Sequence, residues 1–86
     1  MAEVKMAGAA TRAAAGYDFQ MTPGRSEVIK AYDQVFEVLS RRAQQHDEHG
    51  NRDLRETTLR IAQRSMSDFE LLCRKWVESD AQGKIY

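Results

Sequence analysis

Two runs of apolar residues organise this chain. Ile29, Tyr32, Phe36, Leu39 and Ala43 recur at alternating spacings of three and four, and Val28 and Val35 widen that stripe on one side. Lys30, Asp33, Glu37 and Arg41 fall on the opposite face. Leu59, Ala62, Met66, Phe69, Cys73 and Trp76 repeat the same spacing further on. A stripe of this period is one buried seam on a helix. The pattern predicts helices over about 26–46 and about 53–81.

The residues at the ends of these runs agree with that reading. Thr22 can cap the first helix with Pro23 at its first position, where a missing N–H costs nothing; Ser26 is the alternative cap. Gly50 suits the end of this helix. Asp53 and Glu56 have the spacing of a capping box for the second helix, and Gly83 is a stop beyond it. The link between the helices is about 47–52. A connection that short sets neighbouring helices antiparallel. The fold class predicted is all-α: an antiparallel αα-hairpin over 22–82, with a short tail at 83–86.

The segment before the hairpin, 1–21, reads as an arm. Residues 1–16 hold seven alanines and two glycines. Alanine favours helix, but a short isolated helix is marginal in water, so a flexible arm is expected. Tyr17, Phe19 and Met21 alternate with Asp18 and Gln20, which suits an extended segment with one apolar face. It either docks on a partner or folds back over the hairpin, and folding back is the favoured reading because small domains need cover.

Two helices cannot enclose a core between them. Val38, Leu54, Ile61 and Leu71 also lie outside the two seams. The expectation is therefore a partner: a helical bundle completed by oligomerisation, as a dimer first of all, or by another protein. Tyr32, Phe36, Phe69 and Trp76 are the expected interface anchors, with Leu54 and Ile61 as a second contact face.

Composition narrows the functional classes. The chain has 86 residues, enough for one domain. Thirteen basic residues balance thirteen acidic ones, so net charge does not call for a nucleic acid or an anionic membrane. No apolar run approaches the ~20 residues of a membrane span. Cys73 is the sole cysteine, which rules out an internal disulfide and suits a cytoplasmic setting.

The most chemical-looking stretch is His46-Asp47-Glu48-His49-Gly50-Asn51-Arg52-Asp53. Two histidines three apart can share a helix face and meet one metal. A structural zinc needs four ligands, however, and Cys73 sits on the apolar seam. The stretch reads as a hydrophilic turn, with no catalytic residue, metal or cofactor expected. Arg41, Arg42, Arg52, Arg55, Arg60 and Arg64 gather near this turn, diluted by Asp47, Glu48, Asp53 and Glu56. They would meet an anion or an acidic partner. The reading that follows is a non-enzymatic helical interaction module, such as an adaptor, small chaperone, inhibitor or assembly subunit. The alternative is a small nucleic-acid-binding protein that uses the arginine-rich tip.

Overall fold

A computed structural model describes residues 7–85. Three helices follow in order: α1 (Ala9–Ala14), α2 (Pro23–Glu48) and α3 (Arg52–Ala81). α2 and α3 form the antiparallel hairpin, and α1 lies against α2 with a smaller contact on α3. The principal extents are 50 × 18 × 17 Å.

Both long helices end as their residues dictate. The hydroxyl oxygen of Thr22 accepts from the N–H of Arg25 at 3.1 Å, so the Thr22-Pro23 start is the one adopted. At the turn, Gly50 is left-handed with φ of 71°. Its N–H donates to the carbonyl of Asp47, and the N–H of Asn51 donates to that of His46. This double bond pattern is a Schellman motif, which satisfies carbonyls that a helix end leaves open. The expected capping box on α3 does not form. Asn51 is the N-cap without a side-chain cap bond, and Asp53 lies inside the first turn. There its carboxylate favours the positive end of the helix dipole instead.

The two seams meet as expected. Phe36, Phe69 and Cys73 are fully buried, with Ile29 and Trp76 beside them. The Tyr32 and Phe69 rings stand 4.8 Å apart, and the Phe69 and Trp76 rings meet edge to face. Such aromatic pairs add stabilisation beyond area burial. Phe36 and Phe69 are thus enclosed by the chain's own core, as their seam positions predict.

The N-terminal region departs from the flexible-arm expectation. Within the described part of that arm, α1 is helical and docked, with Ala10 and Ala14 buried. A helix of six residues is too short to hold itself in water. Asp33 of α2 supports it from outside. One carboxylate oxygen accepts from the N–H groups of Ala10 at 2.8 Å and Thr11 at 3.2 Å, and the other accepts from the Thr11 hydroxyl. Gly8, the N-cap, has no side chain to do this. Asp33 was expected on the polar face of α2, and in the fold it is half-buried under α1.

Residues 17–21 fold back across the open end of the hairpin. The Phe19 ring lies 5.0 Å from Trp76, and Tyr17 packs beside the core; Met21 points outward and is exposed. A buried ion pair holds this segment. Arg25, at 2% exposure, donates to both carboxylate oxygens of Asp80, at 2.9 and 2.8 Å. Arg25 also donates to the Gln20 carbonyl at 2.8 Å, while the Gln20 N–H donates to Asp80 at 2.7 Å. Both backbone groups of Gln20 are satisfied by one charge pair. The guanidinium carbon sits 5.4 Å from the centre of the Trp76 ring and 5.7 Å from that of Phe19, within cation–π range.

Two outcomes follow. Phe69→Ala should destabilise the fold by about 3–5 kcal/mol in chemical denaturation, because it empties a fully enclosed site; a loss near zero would contradict this packing. The second concerns acid. The Arg25 hydrogen bonds, then that of the Gln20 N–H, hold the Asp80 carboxyl below the usual carboxylate range. A depressed folded pKa gives stability that is present above the unfolded value, ~3.9, and is lost as pH falls through the folded one. The melting temperature should therefore drop below about pH 4. In Asp80→Asn it should be lower at neutral pH and flatter in acid, whereas an unchanged acid profile in Asp80→Asn would show that other carboxylates set it.

Candidate functional site

The hairpin has two flanks, and helical geometry assigns residues to each. A residue adds about 100° of rotation in an α-helix. Relative to the seam of α2, Asp33, Ser26 and Lys30 project to one side, and Val28, Val35 and Arg42 to the other. On α3, which runs the opposite way, Val77 and Ala81 project to the side of Asp33, and Leu54, Ile61, Ser65, Asp68 and Leu72 to the side of Val35. Contacts confirm the first flank. Asp33 holds α1, and Phe19 and Gln20 line a hollow with Val77 and Ala81. The N-terminal segment therefore covers that flank. A cleft of ≈ 520 Å³ remains under it, lined mainly by Ala14, Phe19, Met21 and Ile29, with Lys30 at its edge.

The other flank is uncovered by any described residue. Val35, Leu54 and Ile61 are 43–51% exposed along it, Val28 and Leu72 are half-buried at its base, and Val38 stands further round, toward the back of α2 beside Arg41 and Arg42. Val35, Leu54 and Ile61 share one flank of the two helices rather than being scattered around them. Leu71, by contrast, projects from the back of α3, and its exposure is isolated.

The residues expected at a site divide accordingly. Leu54 and Ile61 belong to the open flank. Tyr32 is half-buried at its inner edge, while Phe36, Phe69 and Trp76 lie in the core. Val28, Val35 and Leu72 were missed as site residues because their spacing also fits the widened seams; only the position of α1 shows which edge of each seam stays open.

The arginines do not converge into one patch. Arg41 pairs with Glu37 on its own helix, and Arg55 pairs with Asp47 across the turn at 3.5 Å. Arg42, Arg52, Arg60 and Arg64 make no ion pair among the described residues and point to different sides of the two helices. Arg42 and Arg64 border the open flank. In the turn, His49 Nδ1 lies 2.7 Å from the Gln45 carbonyl, which ties this ring to its own helix end. Among the described residues no three His, Cys, Asp or Glu side chains are grouped to hold a metal ion. No described helix is long and apolar enough to cross a membrane.

Cys73 faces the core with no exposure. Burial pushes its thiol pKa up, and the Glu70 carboxylate adds to this. Both effects disfavour the nucleophilic thiolate.

No protein-family model, curated protein or solved structure matches the chain. The functional reading therefore rests on its own surface. One outcome checks the assignment of inside and outside: a thiol reagent at mildly alkaline pH should leave Cys73 unmodified in the folded chain and modify it fully in denaturant. Fast modification of the folded chain would place Cys73 at the surface and undo the register of α3.

Proposed function

We propose that the protein is a non-enzymatic helical interaction module that works by offering one flank of its hairpin to a helical protein partner. The observation that carries this reading is the asymmetry of the two flanks. The chain uses its own N-terminal segment, a capping carboxylate and a buried ion pair to cover one side. It leaves a row of aliphatic side chains along the other. An amphipathic helix lying along that row would bury the aliphatic groups and complete a bundle.

The chemistry of the flank suits association rather than catalysis. It is shallow, its central side chains are aliphatic, and its charges stand at the rim. Arg42 and Arg64 border it near the turn, and Asp68 lies midway along α3. Rim charges of this kind guide orientation and rate of association more than they add affinity. Adaptor, small chaperone, inhibitor and assembly subunit are all roles for such a flank.

The test is site-specific photo-crosslinking of the full chain in its native cell. A photoreactive residue at Ile61 or Val35 should give covalent protein adducts, and one at Leu71 should not. Adducts from Leu71 alone, or none from the open flank, would refute the reading.

A further inference from the structure

We propose that residues 7–21 form a displaceable strap: the segment lifts off the hairpin as one unit while α2 and α3 stay folded, and its lifting uncovers the flank of Asp33 and Val77. The closed form is the populated one, and the open form is a minor state. The device goes beyond the interaction-module reading and does not depend on what binds the open flank.

The strap buries little. α1 sets only Ala10 and Ala14 into the core. A methyl group removes little apolar area from water, and the gain from burial scales with that area. Tyr17 and Phe19 are half-buried, and Met21 is exposed. The cleft of ≈ 520 Å³ beside Ala14, Phe19 and Ile29 leaves the strap short of the close packing of a protein interior. Ordering the segment meanwhile costs conformational entropy at every residue.

Polar bonds at two anchor points fasten it instead. At one, Asp33 accepts from the N–H groups of Ala10 and Thr11 and from the Thr11 hydroxyl. At the other, the Gln20 N–H donates to Asp80 and the Gln20 carbonyl accepts from Arg25. Asp33 and Arg25 stand about 12 Å apart along α2, at 1.5 Å per residue. The anchors are coupled through the strap itself. α1 has six residues, too few to stay helical without Asp33. The Tyr17 N–H donates to the Ala14 carbonyl, so the end of α1 aims the extended part at its seat. When α1 melts, that lead-in is lost and Gln20 leaves with it.

The hairpin keeps its own fastenings. Arg25 and Asp80 join α2 to α3 directly, and Phe36, Phe69 and Cys73 fill the space between the seams. Opening gives up the Gln20 bonds and the Phe19 ring contact with Trp76, and leaves these in place. Met21, exposed and just ahead of the Thr22 cap, is the pivot. The open form bares Trp76, Ile29 and Val77, so the hairpin then presents apolar side chains on both flanks. The strap restricts it to one.

Native-state hydrogen exchange of the full chain tests this. The N–H groups of Tyr17 and Gln20 should exchange at least ~100-fold faster than those of Phe69 and Cys73 after correction for intrinsic rates, because a local unit opens at lower free energy than the whole fold. Ala62→Gly, buried in α3 away from the strap, should speed exchange at Phe69 by about 5-fold or more and leave Gln20 unchanged. Asp33→Ala should speed exchange at Gln20 by at least ~10-fold although the Gln20 bonds are untouched. Alanine is the better helix former, so this variant does not weaken α2. Equal acceleration of Gln20 and Phe69 by Ala62→Gly would show that the strap leaves only with the whole fold, and overturns the proposal. An unchanged Gln20 in Asp33→Ala also overturns it, since the anchors would then open separately. These readouts need no partner, so they stand or fall apart from the crosslinking at Ile61.

Discussion

The Arg25–Asp80 ion pair is the constraint on which the rest of the arrangement depends. It joins the first turn of α2 to the last turn of α3, closing the end of the hairpin that has no covalent link. A buried guanidinium is tolerated only with its hydrogen bonds answered, and Asp80 answers it with both oxygens. The same two side chains bond both backbone groups of Gln20. One pair therefore fixes the helix register and seats the segment 17–21. Among the described residues the buried Arg25 Nε atom has no hydrogen-bond partner. The aromatic faces of Phe19 and Trp76 on the guanidinium partly offset that omission.

Seating that segment decides where the surface is open. Phe19 covers Trp76, and Asp33 caps α1 over Ala10 and Ala14, so the flank of Asp33 and Val77 is used up within the chain. Nothing in the two seams alone would choose that flank. Each seam is wide enough to bury either edge, and the docked N-terminal segment breaks the tie. Val35, Leu54 and Ile61 are exposed because the cover went to the other side. The proposed protein-binding role descends from this asymmetry.

The hairpin was legible in the sequence because its causes are local. Three-four spacing marks both helices, and Gly50 marks the turn; the first helix starts at Pro23, three residues before the expected 26, because Thr22 rather than Ser26 provides the cap. Local reasoning failed where the partner lies far along the chain. Arg25 and Asp80 are 55 residues apart and Asp33 and Ala10 23 apart, and no periodicity links them. Asp33 reads as a polar-face residue until α1 is seen above it. The alanine-rich start reads as an arm because six residues cannot hold a helix alone; a carboxylate on another helix supplies what they lack. Asp53 and Glu56 have the spacing of a capping box, yet the Schellman motif at Gly50 delivers the chain so that Asn51 takes the cap position. Phe36 and Phe69 were legible as seam residues, and both are enclosed in the core. The open flank was legible in part: Leu54 and Ile61 stood out, while Val35 and Leu72 merged with the seams.

Side-chain footprinting with a carbene label, run on the native chain over a range of concentrations, tests the central claim most directly. The account predicts that Val35, Leu54 and Ile61 are labelled in the dilute chain. Tyr17 and Phe19 should stay protected throughout, and Met21 and Leu71 should stay labelled. Labelling of Phe19 and Trp76 in the dilute chain, or protection of Val35 and Ile61 there, would contradict it.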